Sequence, residues 1–217
     1  MAVRLKSHRQ GDEWHHGDVT VTHAPPGYHC PFCALASGAD ADRQQDIVRR
    51  TDEAMAFVSP RWWPNNHGNL LVVPIQHYEN LYELPVEAGH AVHDLVRDVA
   101  IAMRRTYGCE GISTRQHNEP AGDQDVWHYH VHVFPRYDGD QLYASRPYPE
   151  FVTAGQRRPY AERLRRYFAA DGSLPWPASS RLSASARPVK KSDHNPRTSH
   201  PQYREPAGNH SPCSCMC

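Results

Sequence analysis

His128-Tyr129-His130-Val131-His132-Val133-Phe134 alternates imidazoles with apolar and aromatic side chains. In an extended strand, successive side chains point to opposite faces. The alternation therefore lines up His128, His130 and His132 on one face. Tyr129, Val131 and Val133 take the other, where they can pack a sheet onto a core. On these residues alone two plainer readings stay open: a surface strand whose polar face happens to be histidine, and a simple three-histidine metal site. The chain carries 16 His in 217 residues, and imidazole serves as metal ligand, nucleophile and proton carrier.

Outward from this stretch, Val126 to Phe134 reads as one strand and Gly111 to Gln116 as another. Pro120-Ala121-Gly122-Asp123 supplies a turn between them. Met55-Ala56-Phe57-Val58 and Leu70-Leu71-Val72-Val73 are short apolar runs bounded by Pro60, Pro64, Gly68 and Pro74, which suits buried strands. From Pro85 to Tyr107 the period changes, with Ala88, Val92, Leu95, Val96, Val99 and Met103 recurring at three- and four-residue steps. That spacing predicts an amphipathic helix ending at Gly108. Arg158 to Ala169 reads as a second, shorter helix. Strands grouped around a long helix with tight connections predict an α+β domain with an antiparallel sheet.

Composition sets the outer limits. Lys plus Arg and Asp plus Glu both number 24, so the formal net charge is zero. This argues against a polybasic nucleic-acid binder and a polyacidic solvating chain. No stretch approaches the ~20 apolar residues of a membrane span. The first residues have no apolar core, so the expectation is a cytoplasmic protein with neither nucleic-acid nor membrane partners. Residues 171–217 hold seven Pro, nine Ser and only three of the Leu, Ile, Val and Phe class. Such a segment buries too little apolar surface to offset its ordering entropy and is expected to be a disordered tail. Residues 1–28 read as a flexible arm, leaving a single domain over residues 29–170.

The alternating stretch resembles the signature of the histidine triad superfamily, His-φ-His-φ-His-φ-φ with φ apolar. The resemblance runs from Cys30 to Phe168. Asn118, Gly122 and Gln124 fall where the family pattern places an Asn, a Gly and a phosphate-contacting Gln. Leu70 to Pro74 followed by His77 is similar to its Gly-His-φ-φ-φ-φ-Pro-x-x-His segment. Pro135-Arg136-Tyr137 resembles the branch related to dinucleoside polyphosphate hydrolases. One position departs: Asn69 stands where the family usually carries His, and His67, which precedes the Gly, is no equivalent.

The resemblance implies the family's α+β fold, commonly a homodimer, and an enzyme acting on nucleotides. His130 would be the nucleophile toward the α-phosphorus of a dinucleoside polyphosphate or a related nucleoside phosphate ester or amidate. A covalent nucleotidyl-His intermediate splits one hard displacement into two. A backbone carbonyl would fix the tautomer of His130, His132 would stabilise charge in the transition state, and Asn118 and Gln124 would surround the phosphate. Phosphorolysis in place of hydrolysis, a nucleotide-binding regulatory protein of negligible turnover, and a zinc-dependent interaction module are the alternatives. No Lys-bearing Gly-rich phosphate loop is present, which argues against a P-loop nucleotidase.

Cys30-Pro31-Phe32-Cys33 taken alone is open between metal binding, a redox dithiol and plain burial. Many members of the superfamily bind zinc through such a pair, a His after the central strand and the first triad His. Carried over, the ligands are Cys30, Cys33, His77 and His128, a closed four-ligand structural site. Trp62 and Trp63 read equally as base-stacking residues or core plugs. Cys109 reads as a small buried hydrophobe. Cys213, Cys215 and Cys217 form a terminal thiol cluster to which no chemistry is assigned, and they do not make a prenylation box.

Overall fold

Ala54–Val58 (β2) and Leu70–Pro74 (β3) are buried at every position. A strand covered on both faces reads as an unbroken apolar run, not an alternation. They belong to a five-stranded, wholly antiparallel sheet with Ile47–Arg50 (β1), Gly111–Gln116 (β4) and Val131–Arg136 (β5), in the order β1-β2-β3-β5-β4. The computed structural model describes residues 22–170. The tail expected to be disordered, its cysteines and most of the expected N-terminal arm fall outside them.

One face of the sheet carries Ala56, Val58, Leu70, Val72 and Val133 against Val86–Thr106 (α2). That helix buries Ala88, Val92, Leu95, Val96, Val99, Ala102 and Met103, and Gly108 beyond its end takes φ +70°. Fully burying each Val or Leu contributes roughly 1.5–3 kcal/mol. Ala161 and Leu164 of Ala154–Ala170 (α3) extend this cluster. The opposite face puts Met55, Phe57, Leu71 and Val73 against Phe32 and Leu35 of Pro31–Ser37 (α1). The α+β architecture with an antiparallel sheet is therefore as expected. Gly68 turns the chain into β3 at φ +75°, and the Tyr160 ring occupies the space a Cβ would need.

Four elements differ from the sequence reading, which has no strand at β1, where only Val48 is buried. The strand expected from Val126 is paired only from Val131, because the backbone before it serves a loop: His128 N donates to Val126 O at 2.8 Å and Tyr129 N to Tyr78 O at 2.6 Å. α3 starts at Ala154 rather than Arg158. Thr153 Oγ1 accepts from Gln156 N at 3.4 Å while Gln156 Oε1 accepts from Thr153 N at 2.9 Å, a reciprocal cap. α1 forms around the cysteine pair, with Cys30 Sγ accepting from Cys33 N at 3.4 Å, Pro31 opening the helix and Gly38 closing it at φ +82°.

Candidate functional site

β5 lies inside the sheet, with His132 opposite Leu71 of β3 and Arg115 of β4. The period-two alternation continues upstream of the ladder. Tyr129, Val131 and Val133 pack into the α2-side core, while His128 and His130 both meet the Phe32 ring, at centroid distances of 5.6 and 5.5 Å. His132 stands 5.1 Å from His130, ring to ring. The three imidazoles thus share one face.

His130 is 2 % exposed. Its Nδ1 lies 2.7 Å from the His128 carbonyl; a carbonyl only accepts, so Nδ1 carries the hydrogen and Nε2 keeps its lone pair. Nε2 faces Asp125, whose Oδ1 is 4.0 Å away. Burial lowers the His130 pKa, with the His128 carbonyl and then Asp125 opposing. Burial likewise holds His132 well below the ordinary value, helped by His130, His117 and Arg115. His132 stacks on Phe134, rings 7° from parallel, and its Nδ1 is buried without a protein partner among the described residues. The arrangement is an imidazole with one nitrogen locked as donor and the other keeping its lone pair, flanked by a second buried imidazole.

The first triad histidine faces another group. His128 Nε2 lies 3.1 Å from Pro74 O, so it donates there and Nδ1 presents its lone pair to the cysteines. Cys30 Sγ is 3.3 Å and Cys33 Sγ 3.6 Å from that nitrogen, and Cys33 Sγ is 3.4 Å from His77 Nδ1. All four donor atoms lie within 4.8 Å of one another. A tetrahedron with zinc-like bond lengths has S···N edges of about 3.5 Å, so the four residues fit a divalent ion with two sulfur and two nitrogen ligands and could hold one. Burial, together with Cys30, pushes the Cys33 thiol up to about 12, and burial, with His77 beside it, takes His128 down to about 4. In a metal-free pocket the Cys33 thiol keeps its proton; a bound cation would supply the charge that makes it a ligand. An open cleft lined by Ala24, Tyr28, His29, Ser37 and His77 reaches this group from outside.

Gln124 and Asn118 lie beside the triad but spend their amides on the loops. Gln124 Nε2 donates to Glu79 O at 2.6 Å and to Val126 O at 3.0 Å, and its Oε1 accepts from Glu119 N at 2.8 Å. Asn118 Oδ1 accepts from Leu81 N at 2.8 Å and from Gln116 Nε2 at 2.9 Å. Trp62 and Trp63 are buried core plugs, and Cys109 is buried too. His67 stacks on Trp62 away from the triad. Asn69 is fully buried with both side-chain polar atoms unpartnered by the described protein. Phe32, the Pro74 carbonyl and Asp125 are site groups that the sequence reading passed over. Only Asp125 had a signal, as a carboxylate three residues before His128.

The HIT domain family matches residues 41–139, a span that contains the triad and begins after the cysteine pair. The Protein hit of Bacillus subtilis is 31% identical over 109 residues, 50% of this chain and 72% of that protein. The adenylylsulfatase HINT3 of Arabidopsis thaliana is 26% identical over 129 residues, 59% of this chain and 63% of that one. A zinc-bound histidine triad family protein of Mycobacterium smegmatis, solved by crystallography, superposes with a TM-score of 0.54 at 27% identity, covering 65% of this chain and 94% of that chain.

Proposed function

This chain belongs to the HIT domain family, and from that premise we propose that it is a nucleotidyl hydrolase or transferase acting at the α-phosphorus of dinucleoside polyphosphates or related nucleoside phosphate esters and amidates. The observation that carries this reading is the 2.7 Å contact between His130 Nδ1 and the His128 carbonyl. It leaves Nε2 as an unprotonated nucleophile without needing a basic pH. Nε2 attacks phosphorus, the leaving group departs with the bonding electrons, and water displaces His130 in a second step to release the nucleoside monophosphate. His132, 5.1 Å from His130 between ring centroids, donates to the phosphoryl oxygens as charge grows on them. Gln124 and Asn118 shape the loop that receives the phosphate.

Zinc held by Cys30, Cys33, His77 and His128 is part of the proposal, in a structural role; the fit of the four donors and a zinc-bound relative support it. When bound, the ion supplies positive charge that stabilises two thiolates and pins His128, whose carbonyl orients His130. A homodimer, as the resemblance implies, completes the reading.

Incubation with a diadenosine polyphosphate and with an adenosine phosphoramidate is expected to release AMP, with an AMP–protein adduct in a rapid alkaline quench, which spares a histidine N–P bond. His130→Ala is expected to lower the rate at least about 10³-fold and abolish the adduct. Retention of activity within a few-fold would sink the covalent mechanism.

A further inference from the structure

Glu79 holds a carboxylate whose side chain is only 6% exposed. Among the described residues, its hydrogen-bond donors lie in one segment far upstream in the chain. Thr22 Oγ1 donates to Oε2 at 2.5 Å, across 57 positions of sequence, and His23 N donates to Oε1 at 2.6 Å. The His23 ring adds an Nδ1 contact of 3.6 Å to the same oxygen. Thr22 to Tyr28 belong to the stretch read from sequence as a flexible arm, and they precede the family match at residues 41–139. A carboxylate buried without these donors is costly, so their docking is built into the fold.

The same segment holds the loop that leads into the triad. The His23 ring stacks on Trp127, with centroids 5.6 Å apart and planes 26° from parallel. The Tyr28 hydroxyl accepts from Trp127 N at 3.2 Å. Glu79 reaches this loop from its other end, its carbonyl accepting from Gln124 Nε2 at 2.6 Å. Residues 124–128 in turn supply the groups on both nitrogens of His130. Asp125 Oδ1 lies 4.0 Å from Nε2, and the His128 carbonyl lies 2.7 Å from Nδ1. The Asp125 side chain is 62% exposed, so this loop borders the side from which Nε2 is reached.

We propose that residues 22–28 are a docked strap that completes the nucleotide site, with Glu79 as the positioning residue that ties the strap to the loop of residues 124–128. This role rests on the phosphoryl-transfer reading above. With the strap undocked, Trp127 loses its stacking and hydroxyl partners, and the binding-competent loop is populated only part of the time. Apparent affinity then falls by that fraction. Bound nucleotide restores the loop, so KM rises while kcat holds.

The test uses the full chain with Thr22→Val, Glu79→Gln, both together, and Thr22→Ser, which keeps the hydroxyl. Diadenosine triphosphate turnover gives kcat and KM, titration with AMP gives affinity, and amide hydrogen exchange follows residues 22–28 and 124–128. Each of the first two changes is expected to raise KM and weaken AMP binding about 10-fold, the worth of a hydrogen bond to a charged group. Expected alongside are kcat within about 3-fold of wild type and faster exchange in both segments. The double variant is expected to be no worse than either single change, since both break one contact, and Thr22→Ser to keep the wild-type KM. Thr22 is exposed, so Thr22→Val decides the matter even where Glu79→Gln fails to fold. Exchange that quickens at 22–28 but not at 124–128, additive losses in the double variant, or a fall in kcat at unchanged KM overturns the strap. Wild-type turnover no higher than that of His130→Ala overturns the phosphoryl-transfer reading instead. AMP affinity and exchange, which need no turnover, still decide the docking.

Discussion

The state of His130 is set by what surrounds it more than by its own chemistry. Burial lowers its pKa and the His128 carbonyl fixes its tautomer. A histidine pKa below the ordinary ~6.5 means that the neutral form is the major one at neutral pH and persists as pH falls. The acid limb of kcat/KM on an amidate or polyphosphate is therefore expected below pH ~6.5. A limb centred above that value would contradict the assigned environment. The shared face of the three histidines was legible because period-two alternation needs no tertiary knowledge, whereas the role proposed for His130 among them came from the family resemblance. Gln124 was singled out by the family resemblance, but its three hydrogen bonds to the loop backbones depend on where Glu79 and Glu119 arrive, and nothing local encodes that.

At the scale of elements, α3 is fastened to the sheet by a pair distant in sequence. Arg157 Nε bridges both Asp46 carboxylate oxygens at 2.9 Å, its Nη1 donates to Val152 O, and both side chains are almost wholly buried. Arg165 adds bonds to the carbonyls of Gln45 and Ile47. Removing one partner of a buried pair strands the other charge, so Asp46→Ala is expected to cost about 3–5 kcal/mol in denaturant unfolding. The double replacement by Leu at Asp46 and Arg157 should cost less than that single change, and a larger loss for the double would show that the pair is worth more than its packing. The cap that starts α3 was written in Thr153-Ala154-Gly155-Gln156, a pattern readable from sequence. The true start of β5 was not, since Val126 to His130 is as extended in its side-chain alternation as the paired residues after it. Whether a backbone joins a ladder depends on the partner reaching it, and the neighbour of Tyr129 N is Tyr78, not a strand.

Across the molecule, the four proposed metal ligands join three separate segments: the helix-capping cysteines, the residue after β3 and the entry to β5. Purified protein is expected to carry stoichiometric zinc by elemental analysis, and chelation or Cys30→Ser to lower the melting temperature along with the metal content. Ligand binding to the folded state alone stabilises it by mass action, so a melting point unchanged by metal removal would count against a structural role. The zero net charge is consistent with a nucleotide site that meets phosphate through imidazoles instead of a basic surface. By itself the sequence determined four of the five strands, the two longer helices, the shared face of the three histidines and the identity of the cysteine pair, because each follows from a local period or spacing. Tertiary structure alone decided that β5 is inserted between β3 and β4, that the cysteine and histidine donors converge to within 4.8 Å, and that Asp125 faces the free nitrogen of His130. Those are contacts between segments far apart in the chain or between a loop and a strand, and their geometry is set by how the sheet packs, which no local pattern of residues specifies.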